Sequence, residues 1–125
     1  MQKVSDYELE LMKIIWANGG AALYAEIVSG LENKGNSWTK NTIITLLSRL
    51  IEKGLLKTSK VGRRNKYIAL VPETDYQAEQ TVNFLNKIFE CNIKGLVSML
   101  IDKDLLSEKE YIELQKYWNG GDKNE

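Results

Sequence analysis

After Gly54 the hydrophobic pattern of this chain changes period, and few small folds accommodate such a change. "LLKTSKV" and "NKYIALV" are short runs with β-branched and aromatic residues, joined through "GRR". That is the pattern of a β-hairpin with a mobile, basic tip. Three helical segments stand ahead of it. In "SDYELELMKIIWANG", Ser5 and Glu8 form a capping box, Leu11, Met12, Ile15 and Trp16 recur at helical spacing, and Gly19 with Gly20 stops the run. A second helix is expected from about Leu23 to Asn33, through Ile27 and Leu31. After the loop "NKGNS", a third runs from near Thr39 to Gly54, where a left-handed C-terminal residue is wanted. Helix, helix, helix, hairpin within about seventy residues is the order of a winged helix-turn-helix domain.

The single proline, Pro72, marks a boundary, so residues 1–72 are expected to form the winged helix-turn-helix and residues 73–125 a second region. In the latter, Thr74 with Gln77 is expected to cap a helix that carries Val82, Leu85, Ile88 and Phe89 on one face. "IKGLVSMLIDK" follows with Ile93, Leu96, Val97, Leu100 and Ile101. Ser107 with Glu110 then caps a helix bearing Tyr111, Leu114 and Trp118. Three short helices of about forty-five residues in all hide too little surface to bury these faces alone. A symmetric partner would cover them. Leu85, Phe89, Leu96, Leu100, Leu114 and Trp118 are therefore expected to hold a homodimer, and the terminal "NGGDKNE" to fray. The fold class that results is mainly α with a small β-hairpin: a winged helix-turn-helix domain followed by a C-terminal helical dimerisation region.

Composition narrows the chemistry. The chain has no histidine and one cysteine, Cys91, which removes the commonest general base, any internal disulfide and the usual zinc sites. The acidic pairs Glu8 with Glu10 and Glu108 with Glu110 fall in first helical turns, where capping and the helix dipole already call for acids. No enzyme, cofactor or metal is expected. No apolar run suits a membrane span and the N-terminus lacks the order of a secretory signal, so a cytoplasmic protein without membrane insertion is expected.

The net charge of zero conceals a division. Residues 1–71 hold eleven basic and six acidic side chains, and residues 72–125 hold six and eleven. Between Lys40 and Lys66 stand eight cations and one acid, Glu52, a density that points to a polyanion. On a helical projection of about 100° per residue, Ile43, Leu46, Leu47 and Leu50 form the core arc of the third helix, with Ile44 and Ile51 at its edge. Asn41, Thr45, Ser48, Arg49 and Glu52 lie opposite. Short hydrogen-bonding side chains with an Arg among them suit close approach to a major groove. Asn41 and Thr42 are therefore expected to face bases or the nearest phosphates of double-stranded DNA, with Thr45 on the same DNA-binding face. Lys40, Arg49 and Lys53 would hold its backbone, and Arg63, Arg64 and Lys66 would line the wing. Trp16, Trp38 and Tyr67 are expected to be core. A ligand-responsive winged-helix regulator and a winged-helix protein-interaction module are the alternatives, and only the second would leave the eight cations without purpose.

The segments "ELELMKIIW", "TIITLLSRLIEKGLL" and "GRRNKYIALV" resemble the penicillinase-repressor family of the BlaI/MecI/CopY type, and "FLNKIF" and "DLLSEKEYIEL" fit its C-terminal dimerisation region. The resemblance implies a homodimeric repressor on an inverted-repeat operator with TACA/TGTA-like half-sites, upstream of a resistance operon such as β-lactamase. It also implies relief by a membrane sensor-protease that cuts the C-terminal region. The family's cleaved Asn-Phe bond is matched here by Met99 and Leu100, and its copper-responsive branch carries a cysteine cluster where this chain has only Cys91. Asn41 and Ile44 stand where methicillin-repressor-like sequences have Lys and Arg, which implies a shifted operator preference or a weaker phosphate clamp.

Overall fold

The computed structural model describes residues 2–119. The elements run α1 (Asp6–Ala17), β1 (Ala21–Leu23), α2 (Tyr24–Asn33), α3 (Lys40–Glu52), β2 (Leu56–Val61), β3 (Arg64–Ala69), α4 (Glu73–Phe89), α5 (Ile93–Asp102) and α6 (Glu108–Trp118). They divide into two compact units, Met1–Gln80 and Thr81–Glu125. Among the described residues no helix is long and apolar enough to cross a membrane.

Local chemistry starts and stops the helices of the first unit. Ser5 Oγ accepts the N–H of Glu8 at 3.2 Å while Glu8 Oε1 accepts the N–H of Ser5 at 2.8 Å, the reciprocal box expected of α1. Thr39 caps α3 by accepting the N–H of Thr42 at 3.2 Å. At the other end Gly54 sits at φ 81°, a conformation that favours glycine, and lets the Leu55 N–H return to the Leu50 carbonyl. The hairpin closes through Gly62 and Arg63 between paired Val61 and Arg64, and Gly62 at φ 64° is the first turn residue, as a type II′ turn requires.

The sheet has a third strand that the periodicity did not reveal. β1 pairs antiparallel with β3, Ala22 facing Tyr67, so the order is β1-β3-β2. Three residues are too few to display an alternation, and only the pairing defines them as a strand. The core gathers Leu11, Met12 and Ile15 of α1, Ile27 and Leu31 of α2, and Ile43, Leu47 and Leu50 of α3 against Leu55, Leu56 and Tyr67. Tyr67 is buried, and Trp16 and Trp38 are half-buried and packed against this cluster.

The first unit continues past Pro72, where the sequence suggested a boundary. α4 starts at Glu73, so Thr74 lies inside its first turn instead of capping it, and the carbonyl of Pro72 accepts the N–H of Tyr76 at 3.1 Å. Tyr76 is buried, its ring centroid 5.7 Å from that of Trp16, and the indole N–H of Trp16 donates to the Val71 carbonyl at 2.9 Å. One aromatic anchor thus ties the beginning of α4 to the winged-helix core.

The second unit holds the end of α4, then α5 and α6. α4 ends in two left-handed residues, Glu90 and Cys91, and Asn92 caps α5 by accepting the N–H of Gly95 at 2.9 Å. Ser107 and Glu110 form the expected capping box of α6. Among the described residues after Tyr76 none is buried. Leu85, Phe89, Leu96 and Leu100 are half-buried, whereas Leu114 and Trp118 are exposed, Trp118 at 81%. Of the terminal stretch expected to fray, residues 120–125 lie outside the described residues.

Candidate nucleic-acid interface

α3 is strongly two-sided. Ile43, Leu46, Leu47 and Leu50 are buried, whereas Lys40, Asn41, Thr42, Thr45, Ser48, Arg49 and Glu52 are exposed. The helix therefore presents a row of short polar side chains, flanked by Lys40 and Arg49. Thr42 differs from its neighbours in having a local partner: its Oγ1 accepts from Thr39 Oγ1 at 3.0 Å, in the cap itself.

Strand register sorts the wing cations. Facing residues of an antiparallel pair share one side of a sheet, and sides alternate along each strand. Thr58 opposite Tyr67 and Lys60 opposite Asn65 occupy the side that Tyr67 turns to the core. Lys57 opposite Ile68, Ser59 opposite Lys66 and Val61 opposite Arg64 occupy the other, with Leu23 of β1 beside Lys66. Arg64 and Lys66 thus share a face with Lys57, counted among the eight cations but given no contact from the sequence; the two-residue period of β2, once paired, is the signal that places it. Arg63 stands in the turn.

Among the described residues the ion pairs join Glu10 to Lys13 and Lys34, and Glu8 to Lys53. None engages Lys40, Arg49, Lys57, Lys60, Arg63, Arg64 or Lys66, so this segment keeps its positive field uncompensated except by Glu52. Lys53, expected to hold the DNA backbone, has a partner within the fold. Its Nζ lies 2.6 Å from Oε1 of Glu8 and 3.3 Å from the carbonyl of Lys3. Glu8 is 1% exposed. Burial by itself would push its carboxyl up, but the hydrogen bond and charge of Lys53 and the bonds to Ser5 outweigh burial and hold it below the ordinary carboxylate value. The Lys53 ammonium, on a side chain that is 24% exposed, thereby has an intramolecular partner, which the other cations between Lys40 and Lys66 lack among the described residues. Among the described residues no group of three or more acidic or cysteine side chains is arranged to hold a metal ion.

The family model for the penicillinase repressor matches residues 4–120. The chain belongs to the penicillinase repressor family. It is 36% identical over 112 residues to the penicillinase repressor of Bacillus licheniformis, covering 90% of this chain and 86% of that protein. It is 32% identical over 117 residues to the methicillin resistance regulatory protein MecI of Staphylococcus aureus, covering 94% of both chains. Among solved structures, the DNA-binding domain of the repressor BlaI superposes with a TM-score of 0.51 at 40% identity, over 61% of this chain and 94% of that one. Bacillus licheniformis BlaI, monomeric and in complex with the blaP half-operator, gives 0.50 at 40% identity, over 60% and 89%. Penicillinase repressors are transcriptional repressors and not enzymes, and the N-terminal unit is their winged-helix DNA-binding domain.

Proposed function

We propose that this chain acts as a homodimer that occupies an inverted-repeat operator and blocks transcription sterically. The observation that carries the reading is the exposed face of α3. A helix bearing Asn41, Thr45 and Ser48 between Lys40 and Arg49, with no internal ion pair to either cation among the described residues, is built to lie in a major groove. Asn41 and Thr45 contact base edges, Thr42 faces the nearest phosphates and bases at the capped end, and Lys40 and Arg49 meet phosphates. Arg63, Arg64 and Lys66, joined by Lys57, follow the backbone beside the wing. The complex of a 40% identical relative with the blaP half-operator supports operator binding by this unit.

Dimerisation supplies the second recognition helix. Exposed Leu114 and Trp118 and half-buried Leu85, Phe89, Leu96 and Leu100 are an apolar surface that a second copy would cover, each large side chain contributing roughly 1.5–3 kcal/mol. The regulated genes are a resistance operon such as that of a β-lactamase, and cutting the chain in α5 would relieve repression by separating the copies; a membrane sensor-protease that does so near Met99 and Leu100 must accept Met-Leu in place of the family's Asn-Phe bond.

The test is a gel-shift titration of the full chain against a duplex with inverted TACA/TGTA half-sites and against a scrambled duplex, alongside sedimentation. A dimer that prefers the inverted repeat supports the reading. Equal affinity for both duplexes, or a monomer at operator-saturating concentration, refutes it.

A further inference from the structure

Two consecutive residues in the first turn of α1 reach opposite ends of α3. The ring of Tyr7 lies 4.9 Å, centroid to centroid, from that of Trp38, which immediately precedes the Thr39 cap. The carboxylate of Glu8 binds the ammonium of Lys53, which is the C-cap residue. Ser5, Asp6 and Tyr7 line one concavity together with Leu46 and Arg49, so the start of α1 lies across the middle of α3 while its side chains hold the two ends.

We propose that Tyr7 and Glu8 are positioning residues for DNA recognition: together with Trp38 and Lys53 they set the roll and height of α3 on the winged-helix core. The inference rests on the operator-binding function proposed above. The physical reason is directionality. Leu46, Leu47 and Leu50 hold α3 by apolar burial, which has no preferred orientation and tolerates a small roll. Such a roll would swing Asn41 and Thr45 away from the base edges they address. A desolvated carboxylate that accepts from both Ser5 N–H and Lys53 Nζ on one oxygen tolerates little displacement. Buried ion pairs are poor sources of net stability compared with apolar side chains of similar volume, and their best-attested use is to specify one arrangement among several. Lys53 also completes the capped end of α3, where a cation is favoured by the helix dipole, so the same contact resists fraying at the end remote from Asn41.

The experiment uses full-length protein with Lys53→Met, with the double replacement Glu8→Met and Lys53→Met that leaves no orphaned buried charge, and with Tyr7→Ala. Each is titrated against the inverted TACA/TGTA duplex and a scrambled duplex over a range of salt. The expected result is a loss of about tenfold in the affinity ratio between the two duplexes, the scale of one mismatched base pair. Scrambled-duplex affinity and the salt slope stay as in the unaltered protein, and Lys53→Arg restores the ratio. If Lys53 instead touched a phosphate, Lys53→Met would weaken both duplexes alike and flatten the slope by about 0.9 per copy, which overturns the proposal. A lowered melting temperature with an unchanged ratio in the double variant also overturns it, since the pair would then be structural only. An unaltered protein with no preference for the inverted repeat defeats the functional reading first, and the positioning role with it.

Discussion

The backbone N–H of Val4 donates to the phenolic oxygen of Tyr76 at 3.2 Å, joining residues 72 positions apart in the chain. The contact closes the winged-helix unit with the first turns of α4 and explains why the compact unit extends to Gln80. A fragment ending at Gln80 should therefore unfold cooperatively at a clearly higher temperature than one ending at Pro72, although both contain every element of the wing. In the full chain, Tyr76→Ala should cost about 3–5 kcal/mol as a buried aromatic removed, and Tyr76→Phe about 1 kcal/mol as a lost hydrogen bond. Thermal melts of the two fragments, and denaturant titrations of the two variants beside the unaltered chain, check this.

Operator binding should weaken steeply with salt. About six phosphate contacts per dimer, drawn from Lys40, Arg49 and the wing, give a slope of log affinity on log salt near −5. A flat response between low and high salt would favour the protein-interaction module instead.

Replacing Arg63 and Arg64 together by Ala should weaken binding to operator and scrambled duplexes by a similar factor, because backbone contacts carry little sequence information. Asn41→Ala and Thr45→Ala should instead erode discrimination among half-site variants by about 1–3 kcal/mol each. Thr39→Ala should act differently again, destabilising the start of α3 by about 1 kcal/mol through the lost cap at Thr42 N–H. Parallel titrations and melting curves separate the three patterns.

A fragment ending at Glu90 retains the whole first unit and lacks α5 and α6. It should sediment as a monomer and bind the full inverted repeat on the order of 10²-fold more weakly, because the second recognition helix loses its effective concentration. Binding as tight as that of the full chain would sink the view that dimerisation is the control point.

Stability should depend on pH through Glu8. Its folded-state carboxyl titrates below the ordinary value, so the stabilisation is fully present above the unfolded-state value and is lost as pH falls through the lowered folded one. Removing the ammonium by Lys53→Met leaves burial less opposed and should shrink this acid-side loss. Unfolding free energies of both proteins across the acid limb are the measurement.

The three helices of the wing domain, the capping box at Ser5, the start of the third helix near Thr39, the stop at Gly54, the hairpin, the concentration of cations between Lys40 and Lys66 and, beyond that domain, the capping box at Ser107 were all legible in the sequence. Each of these depends on residues within about four positions of one another, or on composition, and such interactions are written in local order. The two faces of α3 were legible for the same reason: a regular helix projects its apolar and polar residues without outside help.

Tertiary structure alone decided the rest. β1 is a strand only because β3 lies beside it, and the first unit passes Pro72 only because Tyr76 finds Trp16 and Val4. Lys53 looked like one cation among eight until the fold brought it to Glu8, 45 residues earlier in the chain. Local pattern shows that a lysine is charged, but whether that charge meets solvent, a phosphate or a buried carboxylate depends on which distant backbone closes over it. Desolvation makes that difference large, because a carboxylate removed from water must be paired, and the pairing partner is chosen by the packing of the whole unit.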